Sequence, residues 1–482
     1  MINILVGAII FSVWLITLFF GKNIGLSMVL FTVPITGFLI FILEKKNKIV
    51  NKKAKLFIIP ITLLSFTYCI FNNRLFNLLN IWIIPILVII MLLDLFKYNL
   101  RINADFVGEI LGIVFIPLSF IGEAFEMLKQ CFENKTKKTI DSRKGKMIKK
   151  IIKSLLIILP LVLFILILLS TADNTFGGIF KNIISNSINI LKNIKMSSII
   201  VRLILIICSF LYFLGFFYYV FFKYENNEKS FQNQLKTKDN FTIKLLLGVL
   251  NVIYLVFCII QIKSLFIGNE NIKYSEYARQ GFFQLMIVSL INLVTILVAK
   301  KSENKEEKNT YMNVMSVIMC LFTFIIVISS AVRMYYYENA FGYTYLRLMV
   351  YCILFTETCL LIPTILWILN KNVNLTKTYL SIIIVAYIGM NFMNFDNLIA
   401  KRNIDRYIET GKIDIFYLQL ATGTDAVEQM SRIIDIENDE ENVKSKTQTY
   451  LNGLYSKLIQ EKMDIRNFNI SKLRAMQLIK NK

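Results

Sequence analysis

Glu357 is a carboxylate in a place where water should not reach. It lies between Thr356 and Thr358, near the middle of the apolar run 347–369. A charge at mid-bilayer is costly, so such a group faces a protein interior or a water-filled cavity. The chemistry it offers is proton or ion coupling. The plainer alternative is an interhelical hydrogen bond that fixes packing. A second set of polar residues collects at the ends of apolar segments. Asp173, Arg202, Glu276, Arg279, Arg333, Glu338, Arg347 and Asp396 fall near one predicted outer boundary, and Arg402 and Arg406 follow just beyond it. Tyr335, Tyr336, Tyr337, Tyr343 and Tyr345 crowd the same level. Arginines around a vestibule would hold an anionic headgroup or solute, because guanidinium matches carboxylate and phosphate in charge and shape. A belt of interfacial aromatics with snorkelling charges leaves the same trace in a sequence. The candidate ligand set is Asp173, Arg202, Arg279, Arg333, Arg347, Asp396 and Arg402, with Glu357 as the candidate ion-coupling residue.

Other chemistry is excluded or unsupported. The chain has no histidine, which removes histidine relays, Ser–His triads and histidine metal sites. Its seven cysteines form no C-x-x-C pair, and all but Cys131 fall in apolar runs, where a thiol is ordinarily a small apolar residue. No phosphate-binding glycine loop, dinucleotide fingerprint or nucleophile elbow is present. The acidic run 435–441 lacks the ligand spacing of a calcium loop and reads as a solvated turn. No metal, cofactor or catalytic residue is expected.

The elements that position these groups follow from hydropathy. Of 482 residues, 56% are hydrophobic, and the mean hydropathy is +0.59. Apolar runs of roughly 17–25 residues match the thickness of the hydrocarbon core. Eleven are expected, at 2–20, 24–43, 56–71, 78–96, 152–170, 199–222, 242–262, 281–299, 310–332, 347–369 and 378–395. Each should be helical, since lipid leaves no partner for an open backbone. The first has no basic segment before it and no small-residue cleavage site, so it reads as a retained helix. The fold class is all-α: a polytopic transmembrane bundle over 1–395 and a small soluble helical domain over 396–482.

Net charge is +22, concentrated in alternate loops. That is the positive-inside pattern, and it favours contact with anionic lipid over nucleic acid. It puts the N-terminus in the cytoplasm and, with an odd number of spans, the tail outside. Residues 105–128 break the alternation. This stretch is apolar but carries Glu109, Glu123 and Glu126, and its spanning would force the basic segment 129–150 outside. It reads as a re-entrant or interfacial hairpin bent at Pro117. Residues 174–195 repeat Phe176, Phe180, Ile184, Ile188 and Leu191 at helical spacing and read as an amphipathic helix on the outer surface. In the tail, Asp396 would cap a helix ending before Gly411. Asp425 with Glu428 resembles a capping box, and further helices fit 443–461 and 471–480.

Several segments at these edges resemble a known family. They are STADNTF (170–176), YARQGFFQL (277–285), RMYYYENAFGYTYLRL (333–348), NFDNLIAKRNIDR (394–406) and RNFNISKLRA (466–475). Together they resemble bacterial polytopic membrane proteins of the domain-of-unknown-function family numbered four-one-seven-three, over most of 150–482. The resemblance implies a bacterial plasma-membrane location, many spans and a helical tail, and no transferable activity. Its recurrent polar positions fall here on Asp173, Arg279, Arg333, Arg347, Asp396, Arg402 and Arg406. Asn174 and Glu428 stand where the family often has proline.

Three functions are open on these grounds. The first is a non-enzymatic cell-envelope protein whose extracytoplasmic cluster and tail contact lipid headgroups or a protein partner. The second is a permease for a small anionic solute or lipid that uses Glu357. The third is an enzyme on lipid-linked substrates with Asp173 or Glu276 as base, which the absence of any motif ranks last.

Overall fold

The computed structural model describes residues 2–96, 113–114, 117–118, 120–124, 198–223, 240–266, 282–301, 310–369, 373–436, 441–461 and 463–481. Among these residues there is no strand. The apolar helices are α1 (Ile2–Phe19), α2 (Leu26–Lys45), α3 (Ile58–Ile70), α4 (Arg74–Phe96), α5 (Ser198–Tyr218), α6 (Asn240–Phe266), α7 (Phe282–Lys301), α8 (Thr310–Phe341), α9 (Tyr345–Leu369) and α10 (Leu375–Phe392). Among the described residues seven helical segments are long and apolar enough to cross a membrane, and Asn3–Phe19, Lys244–Ile260 and Gln284–Lys300 are shorter apolar helices. Ten of the expected spans are thus seen as helices. The span at 152–170, the amphipathic helix at 174–195 and most of the re-entrant stretch lie outside the described residues.

The chain divides into two compact units, with the division falling inside α3 and α4. The first holds Met1–Thr62, Ile83–Asn226 and Asp464–Phe468. Its core is a ladder of phenylalanines: Phe11 meets Phe38 at 5.3 Å and Phe217 at 6.1 Å between ring centroids, and Phe38 meets Phe217 at 5.1 Å. Tilted and edge-on rings at this spacing add to the burial of their area. Lys46 closes α2 with its ammonium 3.1 Å over the Phe222 ring. Burial, followed by the charge of Lys48, pushes its pKa down to about 8.

The second unit holds Leu63–Trp82, Asn227–Met463 and Asn469–Lys482. Here α8 is the central element, and α6, α7 and α9 pack against it. It runs for 32 residues, or about 48 Å at the usual rise, which exceeds a hydrocarbon core of about 30 Å. Glu338, expected in a loop, therefore lies on the last turns of this helix. Its buried face repeats every three or four residues: Met312, Ser316, Met319, Thr323, Ile326, Ser330, Arg333. The small members of that row let neighbouring helices approach closely.

The tail is helical, as expected, with α11 (Phe395–Thr410), α12 (Ile415–Ala421), α13 (Glu441–Gln460) and α14 (Ile470–Lys480), and a short helix Val427–Met430 between α12 and α13. Two details differ from the sequence reading. The cap of α11 is Asn394, in the left-handed region at φ 48, whose side chain accepts from the Asn397 amide. Asparagine tolerates that backbone region. Asp396 is instead the second helical residue and is buried. Asp425 and Glu428 form no capping box: Asp425 lies in a 3-10 turn, and its carboxylate is used elsewhere. Gly411, at φ 71, ends α11 as expected.

Candidate functional site

Two buried polar assemblies stand out in the second unit. The first is a layer across α7, α8 and α9. Glu357 is 1% exposed, and its Oε2 accepts from the Ser289 hydroxyl at 2.5 Å. Asn292, one turn further along α7, donates its amide to the Thr323 hydroxyl at 3.1 Å. Thr323 in turn donates to the Met319 carbonyl at 2.7 Å, and Ser289 lies 2.7 Å from the Met286 carbonyl. Glu357 Oε1 and Asn292 Oδ1 are fully buried and have no hydrogen-bond partner among the described residues.

Apolar clusters bracket this layer. On one side lie Met286, Val327, Ala331, Met334, Val350 and Leu354. On the other lie Leu293, Ile296, Met319, Cys320, Leu360 and Leu361. On each helix the polar residue falls between these two sets, so three helices present oxygen and nitrogen atoms at one depth inside an apolar bundle.

The second assembly joins the tail to the α3–α4 turn. Asp396 accepts from Asn73 Nδ2 at 2.7 Å and from the Gly423 amide at 2.7 Å. Asn73 also donates to the Tyr345 hydroxyl at 2.6 Å. Asp425 accepts from the Asn72 amide at 2.8 Å and from the Ser471 hydroxyl. Asn469 donates to the carbonyls of Tyr68 and Phe71, each at 2.8 Å. Gly423 is needed for closeness: a Cβ there would sit 3.1 Å from the Asn72 carbonyl and 3.2 Å from Asp396 Oδ2. Burial, then the charge of Asp425, pushes Asp396 up to about 8, against the two hydrogen bonds it accepts. Burial pushes Asp425 up to about 6. Burial likewise raises Tyr417, to about 12, with the charge of Arg347 opposing the rise and those of Asp396 and Asp414 adding to it.

The expected outer ligand set is only partly brought together. Asp173 and Arg279 lie outside the described residues. Arg202 belongs to the first unit, with its guanidinium 4.8 Å over the Phe20 ring. Arg333, Arg347, Asp396 and Arg402 share the second unit. Arg347 is buried, bonded to the Gly342 carbonyl and 4.3 Å over the Tyr337 ring. Arg333 is buried on α8, and Glu338, on the last turns of the same helix, accepts from the Tyr351 hydroxyl at 3.0 Å. Arg406 donates to the Ala340 carbonyl at 2.7 Å, and Asn403 clasps Tyr343 through its amide and carbonyl. These contacts fasten α11 to the α8–α9 turn. Arg402 is exposed, 5.9 Å over the Tyr343 ring.

The sequence reading missed Asn73, Asn292, Ser289, Thr323 and Gly423. Asparagine is abundant throughout this chain, which hides the few that are buried. The usable signal was a lone Asn inside an apolar run, as at Asn292 and Asn80. Between α9 and α10 there is also an apolar groove of about 710 Å³, lined by Phe355, Cys359, Ile382, Val385, Gly389 and Met390 among others. Among the described residues no group of three His, Cys, Asp or Glu could hold a metal ion.

Apolar helices of spanning length, with polar residues sequestered between them, define a multi-pass integral membrane protein. The chain belongs to the family described as Domain of unknown function (DUF4153), which it matches over residues 58–433. The unknown-function family expected from the sequence is thus correct in kind, with 4153 replacing the number first assigned. The match begins well before residue 150 and stops short of the segment 466–475. No curated protein and no solved structure matches the chain.

Proposed function

We propose that this protein is an ion-coupled permease of the bacterial plasma membrane, moving a small anionic solute or lipid, with Glu357 at its coupling site. The observation that carries this reading is the unpartnered Oε1 of a fully buried carboxyl inside a membrane bundle. A carboxyl kept only for packing would be expected to have its oxygens satisfied. One left short of donors is set to take up a charge from outside. The protein in proteoliposomes loaded with a pH-sensitive dye, under imposed ion gradients, is the test. A panel of inorganic phosphate, acetate and a fluorescent short-chain phosphatidylglycerol serves as probe. Coupled flux with at least one of them is expected, and Glu357→Gln should abolish it while Arg402→Ala leaves it intact. Equal flux in Glu357→Gln overturns the reading.

A second reading keeps the protein as a non-enzymatic envelope component that binds lipid headgroups or a partner protein at its outer face. Exposed Lys401 and Arg402, together with exposed Tyr335 and Tyr336, support it. Loss of short-chain phosphatidylglycerol binding in Arg402→Ala is its expected sign. Both readings place the tail outside the cytoplasm and the N-terminus inside. Paired reporter fusions at Lys482, one active on each side of the membrane, test that orientation.

A further inference from the structure

Among the described residues the polar layer leaves two buried oxygens without a donor. Ser289 has one hydroxyl hydrogen and lies within donating distance of both the Met286 carbonyl, at 2.7 Å, and Glu357 Oε2, at 2.5 Å. It can serve only one of them at a time. Thr323 gives its hydrogen to the Met319 carbonyl and receives one from Asn292. Among the described residues neither Asn292 Oδ1 nor Glu357 Oε1 receives a hydrogen bond. Both residues are at most 1% exposed, and apolar clusters close the layer on either side. Among the described residues no charged side chain faces Glu357.

We infer that the layer formed by Glu357, Asn292, Ser289 and Thr323 binds a sodium ion, with Glu357 Oε1 and Asn292 Oδ1 as its principal ligands. The ligands are all hard oxygens: one carboxylate, one amide carbonyl and two hydroxyls, each with a lone pair to spare. A single carboxylate balances one positive charge. A divalent ion would leave a net charge buried among apolar side chains, which is strongly disfavoured. A proton on Glu357 occupies one oxygen, whereas a small cation meets several at once. Close packing of the three helices favours a small alkali ion over a large one.

The inference rests on the permease reading only in naming that reading's coupling ion, and its test needs no transport. The full chain, purified in detergent, is melted at fixed pH and ionic strength in sodium chloride, potassium chloride or choline chloride. Sodium should raise the melting temperature with saturation, because a ligand that binds only the folded state stabilises it. Asn292→Leu and Glu357→Gln should each raise the half-saturating sodium concentration at least about tenfold. Ser316→Ala, two turns along α8 from Thr323, should not. Equilibrium binding of radioactive sodium to the wild-type chain gives the same answer if a variant fails to fold. Identical melting in sodium and choline, or a full sodium response in Glu357→Gln, overturns the site. Sodium binding without flux keeps the ion site and removes the permease. Flux driven by a pH gradient, with no sodium response, keeps the permease and overturns sodium.

Discussion

Glu357 and Asp396 are both buried carboxyls, each 1% exposed, in the same compact unit, yet their surroundings differ in kind. Asp396 is met by Asn73 on one oxygen and by the Gly423 amide on the other. Glu357 has Ser289 on one oxygen and, among the described residues, no donor on the other. A carboxyl whose oxygens are filled by the fold is a fastener, and removing it strands the donors aimed at it. A carboxyl left short of donors contributes little to holding the fold and is open to a ligand. The difference teaches that burial alone does not mark a site. The balance of donors and acceptors does.

Substitution should separate the two most sharply at Asp396. Asp396→Leu leaves the Gly423 amide and Asn73 without their acceptor and should cost about 3 kcal/mol, read as a large fall in thermal stability. Glu357→Leu removes a buried carboxyl with few partners, so its stability should stay within about 1 kcal/mol of wild type or rise. Equal losses from the two substitutions would break the comparison.

Titration sharpens it. Asp396 is raised from 3.8 to about 8 and Asp425 from 3.8 to about 6, so the folded state holds more protons than the unfolded chain between those values. Their contribution is fully present below the unfolded pKa near 3.8 and is lost as pH rises through the folded values. Stability should therefore fall between about pH 4 and pH 8, and Asp396→Asn should flatten that fall. A fall of the same steepness in the variant would show that other groups set it.

Smaller effects follow. Gly423→Ala places a Cβ 3.1 Å from the Asn72 carbonyl and 3.2 Å from Asp396, and should cost about 1 kcal/mol by unfolding titration. Glu428→Gln removes a 3.9 Å ion pair with Arg474 between exposed side chains and should change stability by less than about 0.5 kcal/mol. A larger change there would mean that the tail relies on surface charge as well as on its buried bonds.

The expected arginine vestibule shows why position in the chain was a poor guide. The guanidinium groups of Arg347 and Arg406 are bonded to the carbonyls of Gly342 and Ala340. An arginine at a helix end looks the same in a sequence whether it faces solvent or caps a neighbouring turn. Asp396 carried the same ambiguity. It read as a helix cap because Asp, Asn and Ser are interchangeable in that role, and Asn394 took the cap instead.

By itself the sequence determined the class and the elements: apolar runs of bilayer length, helical because lipid leaves backbone groups no other partner, a helical tail whose first helix ends at a recognisable glycine, and one carboxyl at mid-span. Those properties depend on local composition and period, which a linear chain carries in full. Only the tertiary structure decided which polar residues meet. Asn73 reaches Asp396 across 323 positions, and Ser289 reaches Glu357 across 68. Whether a buried oxygen finds a donor is a property of that long-range packing, and so is the distinction between a fastener and a site.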